Sequence, residues 1–346
     1  MTIHKVRFQP VDIEIDVDEN ETVLNAAFRQ GISLTHGCRE GQCGACKSFL
    51  LDGDIELDKY STFALPESES DEGYVLLCRC HAYSDLDVEL INYDEDIIRL
   101  GIPIESFQTT VEVIEPLTHD IRHLVLKMNE PERRLKFSAG QYVSIRIPGG
   151  DEYRAFSMAN TPRTKDRLEF IIKLFPGGLF SSLLADGFAI GQELEVKGPY
   201  GVFMLREKYE SDIICIGGGS GMAPLWSLLN DMAERGISRK ATFFYGARTR
   251  KDLFYLDRLQ QLEEQLPGFR FIPALSMATA EDAWEGETGL ITEVLERHLQ
   301  ADQGKTQAYL CGPPPMIDAT IPVLVRKGIS EDRIFFDKFT PTGKAE

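Results

Sequence analysis

The sequence lacks any run approaching the 18 or so apolar residues of a membrane-spanning helix, and its N-terminus lacks the apolar core of a signal peptide. It has no internal repeats and no long low-complexity segments. Positive charge is scarce, because 37 Lys and Arg stand against 55 Asp and Glu, for a formal net charge of −18. This acidity argues against nucleic acid and anionic membrane surfaces as partners. We expect a cytoplasmic protein that binds neither nucleic acid nor membrane.

The seven cysteines do not make a disulfide framework, because four fall into one metal-ligand pattern and leave an odd remainder. Cys38, Cys43 and Cys46 follow the spacing C-x4-C-x2-C, and Cys78 lies further along in LLCRC. This is the ligand spacing of a plant-type [2Fe–2S] cluster, in which four thiolates complete two tetrahedral iron sites. The pattern predicts a protein that moves single electrons.

Two alternatives remain open for these cysteines. Zinc sites usually show two short C-x2-C pairs, whereas this chain has one such pair inside a glycine-rich loop. Cys80 could replace Cys78 as the fourth ligand, although Cys78 ends an apolar run, YVLL, that would carry it inward. Gly37, Gly41 and Gly44 would permit the positive φ angles and close approach of a loop wrapped around a cluster.

Length and pattern divide the chain into two or three domains. The first begins with a hairpin of KVRF and DIEIDV. A helix, TVLNAAFRQ, is begun by Asn20 and Glu21 and stops at Gly31, while the acidic PESESDEG is expected to be a solvated loop. Regular strands then predict an antiparallel barrel, and alternating strands and helices predict a parallel sheet covered on both faces. The predicted boundaries are 1–98 for the cysteine unit, 99–106 for a linker, 107–205 for the barrel and 206–346 for the parallel-sheet domain.

A glycine-rich segment, IGGGSGMAP, lies directly between a predicted strand and a predicted helix. Gly217, Gly219 and Gly221 would let a pyrophosphate approach the backbone, and the following helix N-terminus would favour its charge. The simpler reading is a tight strand-to-helix turn. The strand–loop–helix context favours a nucleotide site.

Three further segments indicate a function only when they are considered together. CGPPPM follows an apolar strand, so Cys311 and Gly312 should lie at the carboxyl edge of the sheet, where ligands bind. Taken alone, Cys311 is a buried cysteine and RAFSMAN, residues 154–160, is a strand with an ordinary arginine. PGGLFSSL, residues 176–183, is a turn entering a helix, whose glycines and Ser181 could hold phosphate.

Together these segments resemble the ferredoxin–NAD(P) reductase superfamily over nearly the whole chain. HGCREGQCGACKSFLLDGDIEL and ALPESESDEGYVLLCR are similar to the reductase components of bacterial soluble di-iron monooxygenases of the propane, tetrahydrofuran or methane type. The resemblance implies an α+β and α/β multidomain fold. It would comprise an N-terminal β-grasp [2Fe–2S] ferredoxin domain, an antiparallel β-barrel for FAD and a C-terminal parallel-sheet α/β domain for NAD(P)H.

The resemblance also implies roles for individual residues. On the flavin side these are Arg154 for the FAD pyrophosphate, Phe156 for stacking on the isoalloxazine, Ser157 near flavin N5, Gly178 and Ser181 for the FAD phosphates, and Phe339 beside the flavin ring. On the nucleotide side they are Gly217, Gly219, Gly221 and Gly312 for NAD(P)H, with Cys311 bordering the nicotinamide. Ser157 and Cys311 are the predicted catalytic residues. Relatives usually carry tyrosine in place of Phe156, but stacking needs only the ring; they commonly carry glutamate in place of Asp337.

The implied function is an NADH-dependent oxidoreductase that passes electrons through FAD and the cluster to a di-iron hydroxylase, with or without a separate coupling protein. Arg248, Arg250 and Lys251 lie where a 2′-phosphate could be met, yet such reductases generally use NADH, so NADH is favoured and NADPH stays open. The alternatives are a reductase of a Rieske-type aromatic dioxygenase and a redox-sensing iron–sulfur flavoprotein. The acidity could serve solubility or partner steering.

Overall fold

The computed structural model describes residues 2–99, 102–130, 132–301 and 303–339. Leu100 and Gly101 of the predicted linker, and the end of the last predicted domain from residue 340, lie outside these ranges. The chain divides into two compact units. They are Met1–Glu105 with Gly198–Val202, and Ser106–Lys197 with Phe203–Glu346. The predicted three-domain boundaries stay a prediction.

The first unit is a mixed sheet crossed by one main helix. Its elements are β1 (Ile3–Gln9), β2 (Ile13–Asp18), α1 (Val23–Arg29), β3 (Lys47–Asp52), β4 (Ile55–Leu57), α2 (Glu67–Asp71), β5 (Tyr74–Leu76), β6 (Cys80–Ala82), β7 (Leu86–Leu90) and α3 (Glu95–Ile98). The strand order is β2-β1-β7-β3-β5, with β4 and β6 as a separate pair. β2 alternates buried and half-exposed side chains, the pattern of a strand with one face in a core. The predicted first hairpin is confirmed by the antiparallel β1–β2 pair.

Helix α1 spans Val23–Arg29, so the predicted helix TVLNAAFRQ is confirmed, whereas its predicted start at Asn20 and Glu21 is wrong. The Thr22 hydroxyl accepts a hydrogen bond from the Asn25 N–H at 3.3 Å and caps the helix. Asn20 instead donates its backbone N–H to the Asp18 carboxylate at 2.9 Å, in a turn before the helix. The start of the helix is therefore set by Thr22, whose hydroxyl accepts a hydrogen bond from a backbone N–H of the first turn.

The acidic stretch predicted as a loop contains the short helix α2. Pro66 stands at its N-cap with a φ of −58°, which suits a helix start. Glu67 and Glu69 occupy the first turn, where the helix dipole favours negative charge, and Glu69 also pairs with Lys47. The acidic composition alone does not predict this helix. Negative charge stabilises a helix when it lies in the first turn, so the position of each acidic residue decides its effect.

The second unit begins with an antiparallel barrel. Its elements are β8 (Glu105–Pro116), β9 (Ile121–Met128), β10 (Tyr142–Arg146), β11 (Tyr153–Ser157), β12 (Arg167–Lys173), α4 (Leu179–Ser182) and β13 (Glu193–Tyr200). The strand order is β11-β10-β13-β8-β9-β12. An isolated antiparallel bridge between Met158 and Phe170 joins the two edge strands and closes the sheet. Its interior is apolar, with Val143, Leu124 and Phe170 fully buried.

The rest of the second unit is a parallel sheet between two helical layers. Its elements are β14 (Ile213–Gly217), α5 (Met222–Arg235), β15 (Ala241–Ala247), α6 (Leu256–Gln265), β16 (Phe269–Leu275), β17 (Glu287–Thr288), α7 (Ile291–His298), β18 (Gln307–Gly312), α8 (Pro314–Arg326) and β19 (Ile334–Lys338). Leucines of α5 and α6 share one apolar cluster, and α7 and α8 supply another. No helix among the described residues is long and apolar enough to cross a membrane.

The strand order of this sheet is β17-β16-β15-β14-β18-β19. After β14 the chain builds outward to one side through β15, β16 and β17, and then returns to place β18 on the other side of β14. Ligands of such sheets bind in the crevice outside the carboxyl ends of the strands where the order reverses. The loops after β14 and β18 therefore form the expected ligand site.

Candidate cofactor sites

The cysteine loop connects α1 to β3 and carries three of the four predicted cluster ligands. Its backbone N–H groups point at sulfur. Those of Glu40 and Gln42 lie 3.4 Å and 3.2 Å from the Cys38 Sγ atom. The Cys38 N–H lies 3.3 Å from the Cys43 Sγ atom. Such contacts stabilise thiolates and tune the potential of a cluster, so the loop is arranged to hold negative sulfur.

The four cysteine sulfurs form two pairs. Cys38 is hydrogen bonded through sulfur to Cys43, and Cys46 to Cys78. Among the residues that the structure describes, no three cysteine sulfurs lie within 4.8 Å of one another. A single zinc ion holds its four sulfurs at about 2.3 Å, which brings all of them within roughly 4 Å of each other. Two separate pairs suit two irons, each with two protein thiolates.

Cys78 and Cys80 are both buried but differ in their surroundings. Hydrogen bonding with the Cys46 thiol raises the pKa of Cys78 well above its usual range, and burial adds to the effect. Burial is the main reason that the pKa of Cys80 rises to about 12. Cys80 lies in β6 opposite Leu57. Cys78 is therefore hydrogen bonded to a predicted ligand, Cys46, and its role as the fourth ligand stays a prediction.

The loop glycines serve two different needs. Gly41 and Gly44 have φ angles of +69° and +71°, so the predicted left-handed conformation is present at both. Gly37 does not have a positive φ, but a Cβ atom there would lie 2.9 Å from the Cys43 Sγ atom. Gly37 therefore provides space beside a sulfur, whereas the other two provide the turn.

The glycine loop and the CGPPPM segment meet at the carboxyl edge of the parallel sheet. Gly217 ends β14 directly beside Cys311 in β18. A Cβ atom on Gly221 would lie 2.2 Å from the Cys311 carbonyl oxygen, so only glycine lets the two segments touch. Gly219 has a φ of +57° and Gly312 a φ of +144°. The predicted nucleotide residues are thus brought together, and part of the glycine pattern reflects packing.

Sequence reasoning missed a further close approach at this edge. A Cβ atom on Gly218 would lie 2.5 Å from the carbonyl oxygen of Gly246, in the neighbouring strand β15. The second glycine of GGGSG, Gly218, was the available signal. Because these positions carry no side chains, backbone atoms line the crevice, as close approach of a dinucleotide requires.

Strand β19 brings two more residues to the crevice. Asp337 is the neighbour of Cys311 in the sheet register, and the Phe339 N–H donates to the Gly312 carbonyl at 2.9 Å. The Asp337 side chain is half-buried, and its partial removal from water raises the pKa of its carboxyl to about 7. Burial, with a smaller effect of Asp337, raises the pKa of Cys311 well above its usual range. Cys311 is therefore a neutral thiol near pH 7, while Asp337 can hold or release a proton there.

The predicted flavin residues Arg154, Phe156 and Ser157 lie on β11. The Arg154 guanidinium is 20% exposed and donates to the Glu152 carboxylate at 2.8 Å and to the Tyr153 carbonyl at 2.9 Å. A bound phosphate would share or replace the Glu152 contact. Ser157, at the end of the strand, is buried.

The second half of the predicted FAD site lies beside β11. The Phe156 ring centroid is 4.5 Å from that of Phe180 in α4, so the strand contacts the segment that carries Gly178 and Ser181. The Phe175 N–H donates to the Ser181 hydroxyl oxygen at 2.9 Å, which leaves the hydroxyl proton able to donate elsewhere. A guanidinium, a hydroxyl and a half-exposed ring along one strand and its neighbouring turn fit an anionic dinucleotide with an aromatic ring system.

A buried hydrogen bond joins the flavin strand to the nucleotide helix. The Ser227 hydroxyl of α5 donates at 2.7 Å to the carbonyl of Asn160, which follows β11. Ile121 of the barrel lies 4.0 Å from a Cβ position on Gly219. The two predicted groups of cofactor residues therefore belong to one packed unit.

The cations predicted to meet a 2′-phosphate follow β15. Arg248, Arg250 and Lys251 are all exposed. The Arg250 guanidinium donates to the Asp282 carbonyl at 3.1 Å. Thr249, between the two arginines, caps the next turn by accepting from the Asp252 N–H. The turn holds their backbones at the sheet edge, and the side chains face solvent.

Comparison with known proteins gives an independent view of these regions. The model of the 2Fe-2S iron-sulfur cluster binding domain matches residues 6–83. The models of the oxidoreductase FAD-binding domain and the oxidoreductase NAD-binding domain match residues 108–205 and 215–321. The propane 2-monooxygenase reductase component of Mycolicibacterium goodii is 51% identical over 97% of each chain. The chain belongs to the reductase components of the ferredoxin–NAD(P) reductase superfamily.

More distant relatives share the whole arrangement of this reductase. The phenol 2-monooxygenase reductase component of Pseudomonas sp. strain CF600 is 37% identical, over 97% of this chain and 94% of its own. The crystal structure of the Amycolatopsis cytochrome P450 reductase superposes with a TM-score of 0.87 at 31% identity, over 98% of this chain and all of the other. The reductase thus has a [2Fe–2S] ferredoxin domain, an FAD domain and a NAD domain, and it is an oxidoreductase that transfers electrons from a nicotinamide nucleotide through FAD and the cluster.

Proposed function

We propose that this reductase supplies electrons to the di-iron hydroxylase of a multicomponent monooxygenase of the propane or tetrahydrofuran type. The supporting observation is the 51% identity, over 97% of each chain, to a propane 2-monooxygenase reductase component. Identity falls to 37% against the phenol 2-monooxygenase counterpart. A separate coupling protein and a cytoplasmic location are parts of the same proposal.

The proposal gives a role to each candidate site residue. Cys38, Cys43, Cys46 and Cys78 hold the cluster, in the two sulfur pairs that two irons require. When bound, FAD links two-electron hydride chemistry to single-electron transfer, and the cluster carries single electrons. The protein's part is to position these groups and to exclude solvent and oxygen from them.

On the flavin side, Arg154 neutralises the FAD pyrophosphate, and Gly178 and Ser181 present donors to the same phosphates. Phe156 would stack on the flavin, and the buried Ser157 would donate a hydrogen bond to it near N5. These roles are supported by the contact between Phe156 of β11 and Phe180 of α4, which brings the two groups of residues to the same part of the barrel.

On the nucleotide side, the backbone at Gly217, Gly219 and Gly221 holds the pyrophosphate, with Gly312 directly beside Gly221. Cys311 borders the nicotinamide as a neutral thiol, since burial raises its pKa. Phe339 flanks the flavin ring beside Gly312, to which its N–H donates.

We propose NADH rather than NADPH as the electron donor. Arg248, Arg250 and Lys251 offer positive charge near the expected ribose, but all three are exposed and Arg250 already donates to a carbonyl. Measuring kcat/KM for both nucleotides tests the choice, and a large preference for NADPH would contradict it. An Arg248→Ala variant should then leave NADH turnover within about twofold of wild type, because an exposed cation away from a 2′-phosphate contributes little.

Reconstitution tests the acceptor. The reductase is mixed with purified hydroxylase and coupling proteins of the propane, tetrahydrofuran and phenol types, and NADH-dependent product is measured with each hydroxylase. We expect coupled product with the propane or tetrahydrofuran system and little with the phenol system. A Cys78→Ser reductase, which should still oxidise NADH with ferricyanide, is the matched control.

The outcomes separate the alternatives. Coupled turnover only with a Rieske-type dioxygenase would replace the proposed acceptor while leaving NADH oxidation intact. Loss of NADH oxidation with every acceptor, in protein that carries both cofactors, would instead favour a sensing role.

A further inference from the structure

A short stretch of the barrel polypeptide is folded into the first unit. Residues Gly198–Val202, with sequence GPYGV, group with Met1–Glu105, whereas the residues on both sides of them in the chain belong to the second unit. The stretch contains the last three residues of β13 and the two residues that follow. The backbone is continuous, so whatever holds this stretch also acts on the chain that leaves the flavin-binding barrel.

His36 makes the first contact with this stretch. Its Nε2 atom accepts a hydrogen bond from the Gly201 N–H at 2.9 Å, and its Nδ1 atom lies 2.6 Å from the Leu34 carbonyl oxygen. A backbone N–H can only donate and a carbonyl can only accept. The proton must therefore sit on Nδ1, and the imidazole is a neutral ring with both nitrogens engaged. The ring is 7% exposed, so solvent competes little for either bond.

Arg39 makes the second contact. Its guanidinium carbon lies 3.7 Å from the centroid of the Tyr200 ring, within the range of a cation–π interaction. Phe28 supports both contacts, because its ring centroid is 4.6 Å from that of His36 and 5.7 Å from that of Tyr200. Tyr200 is 3% exposed. We call His36, Arg39, Tyr200 and Gly201 the clamp.

The clamp is placed on the cluster loop itself. His36 and Arg39 stand on either side of Gly37 and Cys38, the first of the proposed ligands. The loop therefore cannot shift at Cys38 without disturbing a buried hydrogen bond on one side or a stacked guanidinium on the other.

We propose that the clamp is a positioning device for the internal electron transfer, with His36 as its central residue. By accepting from Gly201, His36 ties the cluster loop to Gly198–Val202 within the first unit, and so holds the loop that carries Cys38 in one position while the cluster is reduced. Electron counts are unchanged: NADH supplies two electrons, and they leave one at a time through the cluster. The proposal does not depend on which hydroxylase receives them.

Two substitutions at His36 separate its hydrogen bond from its shape. His36→Phe keeps a planar ring against Phe28 but cannot accept from Gly201. His36→Gln loses the ring, but its side-chain oxygen can reach the position of Nε2 and accept the same N–H. Both variants are made in the full chain with FAD and cluster bound.

The first readout is amide hydrogen exchange of a peptide that contains Gly201, which does not depend on turnover. In His36→Phe this exchange should rise by roughly threefold to tenfold, the effect of losing one buried neutral hydrogen bond. In His36→Gln it should stay within about twofold of wild type. Unchanged exchange in His36→Phe would overturn the proposal.

The second readout follows the two internal steps by stopped-flow absorbance and by rapid-freeze EPR of the reduced cluster. In His36→Phe, cluster reduction should slow several-fold, while flavin bleaching by NADH, cluster content and the cluster midpoint potential match wild type. His36→Gln should restore the rate of cluster reduction. If cluster reduction keeps its wild-type rate in His36→Phe despite faster amide exchange, the clamp is merely structural. If cluster reduction slows equally in both variants, the hydrogen bond that His36 accepts from Gly201 does not set the rate.

If His36→Phe fails to hold its cluster, Arg39→Met takes its place. It removes the cation from over Tyr200 and leaves the ligands and His36 intact. Slower cluster reduction with unchanged flavin bleaching supports the clamp, and wild-type rates for both steps overturn it.

Discussion

At the scale of single residues, Cys78 and Cys80 show how two buried thiols of similar sequence context differ. The Cys78 sulfur is paired with that of Cys46, whereas Cys80 sits in β6 opposite Leu57. We predict that Cys78→Ser loses most of the [2Fe–2S] absorbance and EPR signal, because one iron loses a thiolate. Cys80→Ser should keep both signals. The opposite pattern would assign the fourth ligand to Cys80.

Asp337 gives a prediction about pH. Burial raises the pKa of its native carboxyl to about 7 from the ordinary 3.8. Between these two pH values the native carboxyl holds a proton that the unfolded chain has lost. The free energy of unfolding therefore falls as pH rises, and the loss of stability is complete above pH 7. Asp337→Asn, which has no such proton, should therefore be more stable than wild type, with the advantage larger at pH 8 than at pH 6 by roughly 1 kcal/mol.

Urea unfolding of both proteins at pH 6 and pH 8 measures this difference. Asp332→Asn, at an exposed position, is the control and should show no pH-dependent advantage. An equal gain at both pH values in Asp337→Asn would mean that its native carboxyl titrates normally.

At the scale of elements, the contact between the glycine loop and the end of β18 depends on the absence of a side chain. A Cβ atom on Gly221 would lie 2.2 Å from the Cys311 carbonyl oxygen and 2.6 Å from its carbon, and both are backbone atoms. Gly221→Ala should therefore cost about 2 kcal/mol or more in the free energy of unfolding and weaken NADH binding. Urea unfolding and NADH titration measure the two effects.

Gly150→Ala is the matched control, since the nearest atom to its Cβ position is 3.9 Å away. Its free energy of unfolding should stay within about 0.5 kcal/mol of wild type. If Gly221→Ala were equally harmless, the two segments would have to separate more easily than their contact suggests.

Several elements were predictable from local pattern and others were not. The first hairpin, the barrel strands and the alternation of strands and helices follow from spacing and periodicity. The start of α1 and the presence of α2 did not, because Thr22 and Pro66 act through their exact place relative to a helix end. Composition describes a segment, whereas capping depends on one position in it.

At the scale of the whole molecule, the net charge of −18 makes partner docking sensitive to salt if acidity steers the reductase to a basic patch on the hydroxylase. We predict that reduction of the hydroxylase slows by about tenfold as ionic strength rises from roughly 0.01 M to 0.15 M, over which the Debye length falls from about 30 Å to 8 Å. Stopped-flow measurement of hydroxylase reduction at each salt concentration tests this.

The internal control is flavin bleaching at saturating NADH, which involves no protein partner and should change little. Equal rates of hydroxylase reduction at both salt concentrations would leave solubility as the role of the acidity.

The sequence alone determined the cofactor classes, because ligand spacing and loop glycines are local features that are readable in one stretch of chain. It did not determine which thiols pair, that β18 returns to the side of β14, or that burial shifts the pKa of Asp337. Nor did it place Gly198–Val202 beside His36 and Arg39. Each of these depends on contacts between residues far apart in the chain, and such contacts exist only once the chain has packed.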